Sequence, residues 1–251
     1  MPNWCENNLE VSGPSDHVDD FWNAIYDDEK ENELGKAVLV LDITGKLMPM
    51  PKVLEGTRSP HPLGEFDDDG QYTKLVEDES NEFWTQEKYE ERKTEFYDAK
   101  SQCEQAFAET GYHSWYEWAN DIWGTKWGAC DVRSDGGQCY HDDGTGARFI
   151  SYDTAWGPLS EDFWLHVSEM FPTLKFTVYY EEHGMCFHGI DSYHAGEVVY
   201  STSDELPTSP EDATDDEADA FYDGSQYYDL IETKTAVWYK EIEKVYQASL
   251  V

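Results

Sequence analysis

The chain is short of positive charge. Only 17 of its 251 residues are Lys or Arg, against 54 Asp and Glu, which leaves a formal net charge of −37. Sequence-independent attachment to a phosphate backbone depends on Lys and Arg displacing counterions, so direct nucleic-acid binding is not expected. Long apolar runs are also missing: no stretch approaches the roughly 20 residues that cross a bilayer, and no membrane partner is expected. The opening MPNWCENN does not have the basic-then-apolar order of a secretory signal, which points to a cytoplasmic setting. The five cysteines, Cys5, Cys103, Cys130, Cys139 and Cys186, are odd in number, widely spaced and without a CxxC pair. That spacing argues for free thiols rather than a disulfide frame.

What the chain does contain is aromatic surface. Aromatics make up 15% of the residues and ten of them are tryptophan, enough for a packed core despite the charge. The strong anionic field is compatible with three readings: an even acidic cover suited to salt or solubility, rows of carboxylates that imitate a phosphate array for a basic protein partner, or cation binding by acidic loops.

WCENNLEVS (4–12) reads as a first strand, followed by Gly13-Pro14, where proline suits the first turn of a helix. In that helix Val18, Phe21, Trp22 and Ile25 fall at i, i+3, i+4 and i+7. AVLVLDI (37–43) reads as a second strand. Residues 52–110 interrupt the pattern with a Pro/Gly/Asp-rich loop and a charged helical segment near 84–109, so they read as an insertion. Strand signals return in GACDVR and ARFISYDTAW, and Gly157-Pro158 opens a helix with Phe163, Val167, Met170 and Phe171 on its stripe. KFTVYYEE, MCFHGIDSY and GEVVYSTS read as three further strands, with turns at His183-Gly184 and Ala195-Gly196. An acidic linker, LPTSPEDATDDEADAFYDG, and a terminal helix close the chain.

GPSDHVDDFW (13–22) and GPLSEDFW (157–164) both follow a strand and both end on an acidic-Asp-Phe-Trp step with a two-residue difference in length. Two βαβ halves predict an α+β, ferredoxin-like βαββαβ antiparallel sheet with its helices on one face. The expected division is a sheet domain of 1–51 with 111–203, a helical insertion at 52–110, and an acidic and helical extension at 204–251.

Further motifs run through the chain in order: MPNWCENNLEVSGP at the start, LMPMP at 47–51, WANDIWGTKWGACD at 118–131, YDTAWGP at 152–158 and FPTLKFTVYYEEHGMCFHG at 171–189. In these the chain resembles the Api92-like proteins with a ferredoxin-like domain. The resemblance implies the βαββαβ fold and a phage or mobile-element origin, but no settled activity and no catalytic residue or cofactor.

WGTKW (123–127) divides the possibilities. As structure, it is the turn from a Trp-rich helix into a strand, with Gly124 as the helix C-cap and Trp123 and Trp127 in the core. As a site, Lys126 joins Asp153, Thr154 and Trp156 beside the helix start at Gly157-Pro158 to hold a small anion or nucleotide. A buried Lys126–Asp153 ion pair would explain the same residues without a ligand. For a basic protein partner, such as a host defence or DNA-handling factor, the candidate contacts are Asp212, Asp215, Asp216, Glu217 and Asp219. Metal binding is weakly signalled. EFDDDGQY starts like an EF-hand loop but has Val76 at the twelfth position, where a bidentate Glu is required. His183, Cys186 and His188 offer no second ligand pair, although alternation would place Cys186 and His188 on one strand face; Cys130, Cys139 and His141 are no better.

Overall fold

The computed structural model describes residues 3–27, 40–59, 86–134, 137–210 and 213–249. The first strand, β1 (Trp4–Pro14), follows from strict alternation: Cys5, Asn7, Leu9 and Val11 are buried on one face, while Glu6, Asn8 and Glu10 lie on the other. It continues through Gly13-Pro14, so Pro14 stands at the N-cap position of α1 (Ser15–Ile25) rather than inside its first turn. Val18, Phe21 and Ile25 are fully buried on α1. Trp22 is half-buried, with the Arg148 guanidinium 4.4 Å above its ring.

AVLVLDI departs from expectation. Of its described residues, only β3 (Val40–Leu41) is strand, paired with β2 (Tyr26–Asp27) outside the main sheet, and Ile43 already starts the short helix α2 (Ile43–Leu47). The side chain of Asp42 caps α2 by accepting the Gly45 N–H at 2.7 Å, and this local bond competes with strand extension.

The main sheet is completed by β4 (Cys130–Arg133), β5 (Gln138–Tyr140), β6 (Thr145–Ala155), β7 (Lys175–Glu182), β8 (Phe187–His194) and β9 (Glu197–Glu205). The order is β4-β6-β1-β7-β8-β9, with β5 also on β6, and every pairing is antiparallel. Its nucleus is β7-β1-β6-β4, with α1 between β1 and β4 and α5 (Glu161–Met170) between β6 and β7. This is the ferredoxin-like arrangement, extended on the β7 side by β8 and β9. Leu9 opposite Ile150 and Val178 sets the register of the three central strands.

The Phe-Trp echo has a packing basis. Phe21 and Phe163 are both fully buried, and the ring of Phe176 lies 5.2 Å from Phe21 and 5.9 Å from Trp164, so α1 and α5 share one sheet face. The helix α5 starts later than Gly157-Pro158: Ser160 is its N-cap and accepts the Phe163 N–H at 3.1 Å. Trp164, not Met170, occupies its buried stripe; Met170 is exposed.

The acidic linker also contains structure. Thr214 and Glu217 form a reciprocal capping box that starts α6 (Asp215–Tyr222), which is followed by α7 (Ser225–Ser249). Trp238 and Ile242 of α7 pack with Ile190, Tyr179 and Tyr200. Tyr179 is three residues from Phe176 along β7, so alternation places α7 on the face opposite α1 and α5.

Contacts divide the chain into a sheet unit, built from the described residues before Pro49 and from Trp123 onward, and a second unit, Pro49–Ile122. The described residues of the second unit hold a 3₁₀ turn at Lys52–Leu54, α3 (Gln86–Thr110) and α4 (Trp115–Trp118). Phe96, Cys103 and Ala106 make the buried stripe of α3. The Thr57 hydroxyl donates to the Leu54 carbonyl at 2.7 Å and accepts the Trp115 N–H at 2.9 Å. The EF-hand-like segment lies outside the described residues.

Candidate functional site

The WGTKW stretch is fastened to the end of β6 by one hydroxyl. Trp4 and Ala155 face each other as a pair that shares no ladder hydrogen bonds, since the bond there runs from Trp156 N–H to the Asn3 carbonyl at 2.9 Å. The N–H and C=O of Ala155 therefore point to the opposite side, where β4 has not yet begun. The side chain of Thr125, fully buried, fills that role: its hydroxyl donates to the Ala155 carbonyl at 2.9 Å and accepts the Ala155 N–H at 3.0 Å.

Gly124 before it has φ +77°, and a Cβ there would come within 2.9 Å of the Ser160 backbone nitrogen, so only glycine fits. The Ser160 N–H donates to the Trp123 carbonyl at 2.8 Å. Trp123 is buried as expected, and its indole N–H donates to the Met48 carbonyl at 2.9 Å.

Trp127 is not core. It is 41% exposed, Trp156 is 42% exposed and Trp4 is 42% exposed. Trp4 and Trp127 have ring centroids 6.0 Å apart, and the Lys126 ammonium lies 4.3 Å from the Trp127 centroid and 6.0 Å from that of Trp156. Trp156 also holds φ +71°, a left-handed backbone that costs a bulky residue strain. Burial of Trp127 is excluded by its place in the chain: it follows the clamped Thr125 by two residues and precedes a strand at the sheet's edge.

The partners expected for Lys126 separate. Asp153 faces Arg133, with Nη1–Oδ2 at 3.7 Å, and partial burial raises its carboxyl above the usual range despite that guanidinium. The expected Lys126–Asp153 ion pair does not form, and no carboxylate among the described residues pairs with Lys126. Thr154 is fully buried and structural: its hydroxyl receives the Asn7 side-chain N–H at 2.8 Å and donates to the Gly157 carbonyl at 2.7 Å. With α5 starting at Glu161, no helix N-terminus opens at Gly157-Pro158.

Trp156 and Lys126 thus come together, Asp153 and Thr154 do not join them, and Trp4 and Trp127 complete the cluster. Trp4 had a signal in the sequence, because β1 alternation places it with Glu6, Asn8 and Glu10 on the polar face.

Of the candidate acidic contacts, Asp215, Asp216 and Asp219 are exposed on α6. Glu217 is engaged in the capping box, whose bonds hold its carboxyl below the usual range, and Asp212 lies outside the described residues. Cys186 and His188 do not share a strand face: Cys186 has φ +58° in the turn before β8, while His188 is buried against the Trp238 ring at 4.9 Å. The Cys5 and Cys130 thiols are poorly suited to nucleophilic chemistry. Burial pushes Cys5 up to about 12, and burial with Asp131 and Asp153 raises Cys130, which disfavours the thiolate.

The arrangement can present indole faces and one ammonium to a ligand; what it offers is binding. Among the described residues, no helix is long and apolar enough to cross a membrane.

Residues 135–224 match the family model described as the ferredoxin-like domain in Api92-like protein. Comparison with curated proteins gives no match. A crystal structure of the protein Api92 from Yersinia pseudotuberculosis aligns with 84% of this chain and 100% of its own, at 14% identity and a TM-score of 0.41.

Proposed function

We propose, from the match of residues 135–224 to the family model for the ferredoxin-like domain in Api92-like protein, that this chain is an accessory protein of a phage or mobile element that works by binding a basic host protein, a defence or DNA-handling factor. One observation carries this reading: two half-exposed indoles, Trp127 and Trp156, flank the Lys126 ammonium, which pairs with no carboxylate among the described residues, and half-exposed Trp4 lies beside Trp127, in a chain of net charge −37. The two features act at different ranges. The anionic surface attracts a basic partner over distance and raises the association rate. The indoles supply short-range anchors, since tryptophan dominates binding hot spots and its face attracts Arg and Lys. Lys126 already rests on Trp127 and marks that face as one that accepts a cation.

The test uses the full chain and a nona-arginine peptide, followed by stopped-flow tryptophan fluorescence at low and high salt. The association rate is expected to fall steeply with salt, as exposed charges are screened beyond about 8 Å at physiological ionic strength. Charge reversal at Asp215 and Asp216 should slow association. Trp127→Ala should raise the dissociation rate about tenfold and leave association nearly unchanged. Binding that ignores salt and both variants refutes the reading.

The Lys126 ammonium, which pairs with no carboxylate among the described residues and lies beside half-exposed indoles, favours a second reading, a small anionic ligand such as a nucleotide. In that case ATP quenches the indoles of the native chain, and Lys126→Ala folds normally but abolishes the quenching.

A further inference from the structure

The polar face of β1 and β6 carries a second feature, distinct from the tryptophan cluster. Where α7 crosses the edge of this open area, a pocket of about 320 Å³ is lined by Asn8, Glu10, Phe149, Ser151 and Tyr239, with the backbone of the central strands behind it. This volume falls at the small end of ligand sites.

Its polar groups are unevenly satisfied. The Ser151 hydroxyl donates to Asn8 Oδ1 at 2.9 Å, whereas the Asn8 amide N–H groups have no partner among the described residues. Glu10 makes neither a hydrogen bond nor an ion pair among them. The nearest compensating cation, Lys175, is committed elsewhere: its ammonium bonds Glu243 at 3.1 Å and lies 4.8 Å from the Tyr246 ring centroid. Two carboxylates, Glu10 and Glu243, therefore share one ammonium. Burial raises the Glu10 carboxyl above its usual range, and Tyr239 is pushed up to about 12 by burial and by the Glu10 charge. Glu10 is a partly buried acid short of a cation, facing a cavity.

We infer that this pocket is a binding site for a small organic cation, a guanidinium or ammonium on a short apolar stem, with Glu10 as its counter-charge, the Asn8 amide beside it, and Phe149 and Tyr239 supplying ring surface. The charge excludes the opposite choice, since an anion would meet Glu10 at close range and a net charge of −37 beyond it. A metal ion is a poor match, because among the described residues only one carboxylate lines the cavity and hard cations need several oxygen ligands. An apolar stem with a cationic head uses both the rings and the acid. The same head group could belong to a free amine or to an arginine side chain of a peptide.

The experiment titrates the full chain with n-butylguanidinium, with n-butylurea as a neutral isostere, and with acetyl-Gly-Arg-Gly-amide, read by calorimetry and by NMR shifts. Saturable binding of the guanidinium, at least tenfold weaker binding of the urea, and shifts centred on the Asn8 amide and Tyr239 ring are expected. Glu10→Gln should reduce guanidinium binding at least tenfold while its melting temperature equals or exceeds that of the native chain, because the substitution removes an uncompensated carboxyl. A purely structural Glu10 would lower the melting temperature. Tyr239→Ala, at a position 37% exposed, provides a second variant with reduced binding. Tighter binding of the tripeptide assigns the site to a peptide side chain, and tighter binding of the free cation assigns it to a small molecule. Equal binding of guanidinium and urea, shifts on Trp127 instead, or native affinity in Glu10→Gln overturns the inference.

Discussion

Replacing Thr125 by Val tests whether one side-chain hydroxyl stands in for a missing strand. Valine keeps the shape of threonine but removes both bonds to Ala155, at 2.9 and 3.0 Å, and Ala155 itself is 1% exposed. A buried amide group left without a partner costs about 1–3 kcal/mol, so two orphaned groups cost about 2–6 kcal/mol. Burial of the added methyl returns about 0.8 kcal/mol, leaving a net loss of about 3 kcal/mol. Thr125→Ser keeps the hydroxyl and removes only a methyl, for about 1 kcal/mol. Urea unfolding followed by circular dichroism distinguishes the two. With a slope of about 2 kcal/mol per molar urea, the Val variant should lose about 1.5 M in midpoint and the Ser variant about 0.5 M. The order is the critical result, because hydrophobicity alone favours Val. If the Val variant is as stable as the Ser variant, the clamp does not hold the WGTKW stretch, and the placement of Lys126 and Trp127 must have another cause.

Trp123→Ala should cost about 3–5 kcal/mol in the same assay, since Trp123 is 7% exposed and its removal also orphans the Met48 carbonyl. Trp127→Ala, open to solvent and leaving no closed cavity, should cost no more than half as much; equal losses would contradict its placement at the surface. His188 supplies a pH dependence. Burial and Lys234 lower it from its ordinary value near 6.5, against the weaker opposing pull of Glu181 and Asp204. Because the unfolded chain takes up the proton first, this stability is complete above pH 6.5 and is lost as pH falls toward the folded value. Melting temperatures between pH 7.5 and 5 should therefore fall less in His188→Phe than in the native chain. The difference between the two chains isolates His188 from Glu10, Asp153 and Asp191, whose raised carboxyls act in the opposite direction.

Much of the sheet was legible because its information is local. Alternation in WCENNLEVS names a strand and its buried face, the aromatic and β-branched run in KFTVYYEE names another strand, and the repeated Phe-Trp step names the two helices that share one sheet face. Where a short-range competitor acts, the reading failed. The Asp42 cap turns the end of AVLVLDI into a helix, the Thr214–Glu217 box orders part of the acidic linker, and the Ser160 cap delays α5 beyond Gly157-Pro158. Each of these depends on side chains meeting nearby backbone N–H groups, which periodicity does not report.

The candidate site shows the same boundary more sharply. Charge and composition by themselves set a net charge of −37, and strand period determined that Trp4 and Glu10 share the polar face of β1. Which cation meets which acid was a tertiary decision: sheet pairing set Asp153 against Arg133 and left Lys126 to the indoles. Its place directly after a helix of core tryptophans made Trp127 look like core as well. The strand order β4-β6-β1 put it at an exposed end beside Trp4, more than a hundred residues away in the chain. A sequence specifies which face a side chain occupies through a period of two or 3.6 residues, but exposure depends on what lies across that face, and only the assembled sheet supplies it.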